Sequence, residues 1–436
     1  MIKITSARII DPASGTDSLG DITIDGGIIK EIRLHSGGSE APAFTSRREG
    51  GTLIDAAGLA AAPGLIDTHS HFRDPGFTHK EDIFTGAAAA AAGGYTTVIM
   101  MANTSPAPDN PDTLKAVLAR ASSLPVRVLS CANVTMGMKG KELTDFEALA
   151  GAGAAGFTDD GLPVMDEGLL REALHRAALI GLPVSLHEED PEYVHGAGVN
   201  AGSEAAVRFL GASKGADREA EIRLVRRDIA LAEKESAPLC IQHVSAAESV
   251  QLIREGKKRN PNLHAEATPQ HFSLTEDAVL EKGTLAKVNP PLRTEADRLS
   301  IIEGIADGTL DLIATDHAPH AAFEKEKPFP QAPSGMIGLE TALSLTLKNL
   351  VEPGYLTLME ALRRLTVNPA LFYRLPSGTL SEGAPADIVL FDPAARRTVS
   401  RESFRSKSSN SPFIGDVLPG VVRCTICRGK IVFRLT

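Results

Sequence analysis

The sequence predicts an α/β barrel of eight parallel β/α units, with a small β-domain assembled from the two chain ends. Three observations predict it. Eight short apolar, β-rich runs recur through the middle of the chain, each ending in polar residues. Helix-like segments separate them, and the two termini share a different, strand-only style. Strands alternating with helices mean parallel β/α units, and eight such units make a closed barrel.

In order, the runs are Gly64-Leu65-Ile66-Asp67, Tyr95 to Met101, Val126 to Ser130, and Ala155-Gly156-Phe157-Thr158. Pro183-Val184-Ser185-Leu186, Pro238 to Gln242, Leu263 to Ala267 and Leu310 to Ala314 follow. Between them, the Ala-rich Phe84 to Ala92 and Glu167 to Leu179 read as helices. Near the N-terminus, Ile2-Lys3-Ile4 and Asp21-Ile22-Thr23-Ile24 read as strands broken by Gly pairs. Ala386 to Phe391 and Val421 to Phe433 repeat that style at the other end. The expected division is 1–57 with 378–436 as a small β-sandwich, and 58–377 as the barrel. The polar stretch from His35 to Gly51 reads as a mobile hairpin loop.

A chain of 436 residues holds one barrel and an appendage. Its hydrophobic fraction of 43% and mean hydropathy of -0.03 are those of an ordinary globular protein. Net charge -10 and a pI near 5.7 argue against nucleic-acid or anionic-membrane partners, which need basic surface. No apolar run approaches the roughly 18 residues that span a bilayer. Met1 to Arg8 lacks an apolar core of signal-peptide length, so a cytoplasmic protein is expected.

Two apparent motifs carry no chemistry. Cys424 and Cys427 form C-x-x-C within a strand-like run, where positions i and i+3 face opposite sides. With no second C-x-x-C in the chain, they read as two strand cysteines. Gly151 to Gly156 matches G-x-G-x-x-G, but it follows a helix and enters a strand, the reverse of a dinucleotide fingerprint.

The residues with chemistry sit at strand ends. His69 and His71 close the first run two residues apart, so on a strand they point the same way. Asp160 follows the fourth run, His187 ends the fifth, His243 the sixth and Asp316 the eighth. An isolated H-x-H would read as two surface histidines; its recurrence with ligand-type residues at later strand ends weakens that reading. Catalytic residues of a β/α barrel converge at the C-terminal face of its strands. Four histidines and two carboxylates are a donor set for two zinc ions. Two divalent ions against two carboxylates and a bridging hydroxide leave positive charge, which suits an anionic substrate.

The run Asp67-Thr68-His69-Ser70-His71-Phe72-Arg73-Asp74-Pro75-Gly76 carries a specific resemblance. With it, in order, come Met101 to Pro106, Phe157 to Gly161, Asn289-Pro290-Pro291-Leu292-Arg293 and Thr315 to His320. Over essentially its full length the chain resembles the class I bacterial dihydroorotases of the amidohydrolase superfamily; Ala102 stands where Pro is usual. The resemblance implies a zinc-dependent enzyme interconverting (S)-dihydroorotate and N-carbamoyl-L-aspartate in pyrimidine biosynthesis. It implies one zinc on His69 and His71 and a second on His187 and His243. Asp160, preferred to Asp159 on family spacing, would bridge them, where hydantoinase-like relatives use a carbamylated lysine. Asp316 would complete the first metal's shell and carry the proton.

By the same resemblance Arg73, Asn103 and His320 would hold the substrate carboxylate, with Asn289 and the backbone at Ser334-Gly335 on the ring. A guanidinium fork matches a carboxylate bidentately. Taken singly, Arg73 could instead pair with Asp74, and Asn289 could cap a turn. The histidines at 79, 175, 195, 264, 271 and 317 read as structural, with His264 the one to recheck. The charged, Pro-interrupted stretch from His320 to Pro333 reads as either a lid or a plain surface loop. A homo-oligomer and an association with aspartate transcarbamoylase come with the resemblance; the sequence alone decides neither. Two rivals remain at this point: a hydantoinase, dihydropyrimidinase or allantoinase, and a silent paralogue that only scaffolds a partner.

Overall fold

The computed structural model describes residues 1–35, 51–211 and 214–435. Five strands open the chain: β1 (Ile2–Asp11), β2 (Thr16–Asp25), β3 (Ile28–Leu34), β4 (Thr52–Asp55) and β5 (Ala60–Pro63). Seven follow through the middle: β6 (Leu65–Ser70), β7 (Tyr95–Met100), β8 (Arg127–Ser130), β9 (Val184–Leu186), β10 (Leu239–Ile241), β11 (Leu263–Ala267) and β12 (Leu312–Ile313). The chain closes with β13 (Ile388–Thr398), β14 (Val417–Cys427) and β15 (Lys430–Arg434).

Both chain ends share one sheet, ordered β15-β14-β13-β5-β1-β2-β3, with β4 parallel to β1. Alternate residues of these strands, among them Ile4, Ile22, Ile24, Ile388 and Ile426, bury together as a separate apolar cluster. β5 lies past the expected boundary at residue 57, and it is hydrogen-bonded between β1 and β13. Most of the expected mobile hairpin, 36–50, lies outside the described residues. The strands flanking it pair with β2 and β1, not with each other.

The middle strands are parallel, in two sheets ordered β6-β7-β8 and β12-β11-β10-β9. Of the eight expected runs, the fourth is reduced to single bridges from Phe157 to Ala132 and to Val184. Its backbone bonds are nonetheless made on both sides: Ala155 N to Ser130 O, Thr158 N to Ala132 O, and Phe157 N to Pro183 O, each at 2.9 Å. Phe157 fills the space beneath, stacked 4.0 Å from Phe146. On the other side Ser70 bridges His317, and His71 N donates to His317 O at 2.8 Å. Between β6 and β12 the Asp67 carboxylate stands in for ladder carbonyls. It accepts from Thr315 N at 2.8 Å and Thr315 Oγ1 at 2.7 Å. Burial pushes this carboxyl up to about 6, against the pull of its Ser70 and Thr315 hydrogen bonds.

Helices Ile83–Ala92 and Glu167–Ile180 form where expected, capped by Asp82 and Asp166. The first presents Ala87, Ala89, Ala90 and Ala91 inward, so its backbone approaches the strands closely. Helix Phe146–Ala152 ends at Gly153, whose φ of 102° is open to glycine; the glycine run is a helix stop before Phe157. Cys424 packs in the end-sheet cluster, whereas the Cys427 thiol lies 3.5 Å from Thr96 O on the other side. Among the described residues no helix is long and apolar enough to cross a membrane.

Candidate active site

The strand ends bring the six predicted ligands into one buried cluster. Two triads form, His69-His71-Asp160 and Asp160-His187-His243, each with its donor atoms within 4.8 Å of one another. Asp160 belongs to both. Its Oδ1 lies 3.4 Å from His69 Nε2, 3.8 Å from His187 Nδ1 and 3.9 Å from His243 Nε2. Its Oδ2 lies 3.5 Å from His71 Nε2. Asp316 Oδ1 sits 3.0 Å from His71 Nε2 and 3.5 Å from His69 Nε2. Asp159 turns away: it accepts from Val134 N, Thr135 N and the Thr135 hydroxyl, and so holds the turn after β8.

Three neighbours set which imidazole nitrogen faces inward. His69 Nδ1–H donates to Glu266 at 3.1 Å, and His71 Nδ1–H to Asn103 Oδ1 at 3.0 Å. His187 Nε2–H donates to Glu189 at 3.1 Å. These tautomers follow from the hydrogen-bond network. Each leaves the other nitrogen's lone pair aimed at the cluster. His69 Nε2 is buried with no hydrogen-bond partner among the described residues. His187 Nδ1 and His243 Nε2 face each other at 2.9 Å. Four inward imidazole nitrogens and two carboxylates, out of water and short of donors, fit a divalent cation.

The electrostatics agree. Burial opposes ionisation of Asp160 and Asp316, but the surrounding histidines hold both carboxyls below their ordinary value, Asp160 well below. Burial, with His187 and His69 nearby, pushes His243 well down; burial and Arg73 lower His71 despite its Asp316 bond. These two present the neutral, ligating form. Burial would also lower His69 and His187, yet Asp160 and Glu189 respectively lead the contacts that raise them. A proton on either is the positive charge that a bound cation would replace.

Every predicted residue except His69 lines one cleft of about 360 Å3 above this cluster; His69 lies fully buried beneath it. The alternative partner for Arg73 is taken, because Asp74 is gripped bidentately by Arg120 at 2.5 and 2.7 Å. Arg73 makes one backbone bond, to Pro319 O at 3.3 Å, and its φ of 57° turns the side chain along the cleft. Asn289 Oδ1 is buried with no partner among the described residues, an acceptor at the cleft wall. His320 Nε2–H donates to Ser334 O at 2.8 Å. Burial and the cations Arg73, Lys80 and Lys325 keep that ring neutral. Asn103 lines the cleft too, but its amide is spent on His71 and Asp160. The Gly335 amide donates to Lys287 O at 2.8 Å.

His264 bonds Asp311 at 2.6 Å, and His317 and His271 are held by Glu81 and by Thr268 and Pro290. None of the three lines the cleft. The stretch after His320 is tied down: buried Lys325 donates to Pro333 O and Gly335 O at 2.9 and 3.0 Å. Lys287 does the same to Phe329 O and Ala332 O at 2.8 and 2.7 Å.

Sequence reading missed Glu266 and Glu189. Glu266, 1% exposed, also accepts from Thr68 Oγ1 at 2.6 Å. Its signal was an acid between two alanines, Ala265 and Ala267, in a strand-like run, since glutamate is almost never fully buried unpaired.

Known proteins match this chain along its whole length. The dihydro-orotase-like family model covers residues 58–249, and an amidohydrolase family model covers 334–433. The dihydroorotase of Clostridium acetobutylicum is 50% identical over 433 residues, spanning 99% of each chain. That of Clostridioides difficile is also 50% identical over 433 residues, 99% of this chain and 100% of its own. The chain belongs to the dihydroorotase family. Solved folds of the same kind include the L-hydantoinase of Arthrobacter aurescens, with a TM-score of 0.85 at 24% identity. It matches 100% of this chain and 97% of its own. Brevibacillus agri dihydropyrimidinase follows at TM-score 0.82 and 24% identity, over 99% and 95%. These two share an α/β fold with this dihydroorotase family member, and at that identity the likeness concerns the fold alone.

Two outcomes are expected here. Replacing Glu266 by Ala frees the His69 ring and should weaken metal binding about 10- to 100-fold, read by chelator competition; unchanged affinity removes its orienting role. Burial, with Lys287 adding to it, lowers the Lys325 ammonium from 10.5 to about 7. Between those values the unfolded chain binds the extra proton, so the Lys325 contribution makes stability rise with pH across that window. Thermal midpoints of wild type minus Lys325→Met should climb from pH 7 to pH 10 (roughly the ends of that window); a flat difference would show that the amine is not depressed.

Proposed function

We propose that the chain is a class I bacterial dihydroorotase that interconverts (S)-dihydroorotate and N-carbamoyl-L-aspartate, the third step of de novo pyrimidine synthesis. The observation that carries this reading is one buried aspartate, Asp160, common to two histidine pairs, with an arginine beside them in the same cleft. Whole-length identity of 50% to curated dihydroorotases supports it. His69, His71 and Asp316 would hold one zinc and His187 and His243 the other, with Asp160, common to both triads, serving each. Zinc supplies Lewis acidity toward the amide carbonyl and lowers the pKa of water to roughly 7.

The chain's own residues do the rest. Arg73, with His320 and Asn103, takes the substrate carboxylate, Asn103 by turning its amide N–H away from Asp160, while Asn289 and the Ser334-Gly335 backbone meet the ring. His320 reaches the carboxylate by giving up its bond to Ser334 O. Asp316, ionised and 3.0 Å from His71, accepts the proton of the attacking water and returns it to the leaving ring nitrogen. Ring closure takes the carbamoyl-aspartate dianion to the dihydroorotate monoanion and consumes one proton, so acid favours closure.

The same reading completes the fold and setting. The two parallel sheets, joined through Phe157 and through Ser70 and His317, are one closed eight-stranded barrel within 58–377, with β5 belonging to the end sheet. The ends, 1–57 and 378–436, make up the small β-domain together with β5, and its β3 edge is tied to the segment before β13 by Gly383 N donating to Ile29 O at 2.8 Å. The enzyme is cytoplasmic in this reading, and a homo-oligomer and a complex with aspartate transcarbamoylase are its expected assemblies.

Purified protein should contain close to two zinc ions per chain by elemental analysis, and a chelator should abolish turnover of dihydroorotate. Full activity in metal-free protein would end the metal reading, and turnover of hydantoin without dihydroorotate would move the substrate. Arg73→Met should leave zinc content unchanged and raise KM for dihydroorotate by an amount equivalent to about 2 to 5 kcal/mol. An unchanged KM would place the carboxylate elsewhere.

A further inference from the structure

The segment between the turn Arg401–Ser403 and β14 leaves the end sheet and crosses to the cleft side of the molecule. Its side chains and backbone fasten loops of the proposed substrate site. Ser408 Oγ donates to Lys80 O at 2.6 Å, and Lys407 N to Glu81 at 3.0 Å. Glu81 is fully buried and also receives the Ser406 hydroxyl.

At the centre of this segment, Asn410 is 4% exposed, and its carboxamide makes three hydrogen bonds. Oδ1 accepts from the His320 amide at 3.1 Å. Nδ2 donates to Ala318 O and to Gly335 O, each at 3.1 Å. Its own carbonyl takes the Ile337 amide at 3.1 Å. One acceptor and two donors on a single short planar group are what this junction requires, and of the side chains only a carboxamide supplies them. The requirement also fixes which end of the amide is oxygen. Asn410 does not line the cleft. It joins the loop carrying His320 to the loop carrying Ser334 and Gly335.

We propose that Asn410 is a positioning residue for substrate binding: by tying the His320 amide to the Gly335 carbonyl, it sets the spacing of two loops that hold the substrate. This rests on the reading of His320 and Ser334-Gly335 as substrate contacts. An aspartate at 410 would keep the shape, but it would turn a carboxylate oxygen toward two carbonyls that now receive hydrogen bonds.

The test uses the full-length protein, with steady-state kinetics on dihydroorotate, elemental analysis and thermal midpoints. Asn410→Asp should raise KM about 10- to 100-fold, with kcat and metal content changed far less. The same substitution made in a His320→Ala background should cost markedly less, because coupled residues are not additive. Wild-type KM in Asn410→Asp overturns the proposal. So does a penalty undiminished in the His320→Ala background, or a loss of activity that merely tracks lost metal. Should Asn410→Asp yield no folded protein, Asn410→Ser is judged by the same three outcomes. If His320→Ala alone leaves KM unchanged, the carboxylate role of His320 is what fails. In that case the double variant no longer discriminates, and the KM of Asn410→Asp alone decides Asn410 through its Gly335 bond: a raised KM supports the proposal and a wild-type KM overturns it.

Discussion

A buried carboxylate shared by four imidazoles is the constraint on which the site depends. Asp160 is 4% exposed, and a carboxylate so far from water is costly unless positive charge or donors surround it. Histidine can meet that need as a proton carrier or as a cation ligand, and the ring's orientation decides which. Glu266, Asn103 and Glu189 each take one ring N–H outward, which commits the opposite nitrogen to the centre. The outer acceptors are therefore as much a part of the site as the ligands, and they explain why acids stay buried in strand ends that are otherwise apolar.

Placing the residues of the cleft taxes the backbone. Arg73, His243 and Asp316 hold φ of 57°, 32° and 45°, a region that non-glycine residues visit at a cost of order 1 kcal/mol or more each. The surroundings hold them there. The Asp67 carboxylate grips Thr315 next to Asp316, and Phe72 beside Arg73 packs closely against Gly86 of the helix Ile83–Ala92. Strand ends give the directions of the side chains, and the loops beyond them absorb the strain.

The meeting of the histidines and aspartates was legible because strand geometry is local. Two histidines two residues apart on a strand must share a face, and a residue ending an apolar run must stand at one rim of the sheet. The outer acceptors were not legible, since nothing near Glu266 in sequence says that it meets a histidine 197 residues away. Asn103 shows the intermediate case. Its place in the cleft was readable, while its amide proves to be engaged by His71 and Asp160. The fourth run was seen as a strand of ordinary length. Backbone hydrogen bonds flank it on both sides, but Gly156 before Phe157 and the turn-making Asp159 after it leave one bridging residue.

Fold and chemistry part company at the rim of the cleft. A hydantoinase shares this architecture over the whole chain at 24% identity, so the strand scaffold cannot by itself choose a substrate. Choice has to come from side chains on loops, and here those loops are pinned from outside the parallel strands. Lys325 and Lys287 clamp the stretch from His320 to Gly335 through four backbone carbonyls. Asn410 reaches the same loops from a segment that runs between β13 and β14 of the end sheet. The sheet built from the two termini is therefore no passive appendage. Strain or unfolding there would be passed to the residues around His320 and Gly335 before it reached the buried aspartate and its histidines.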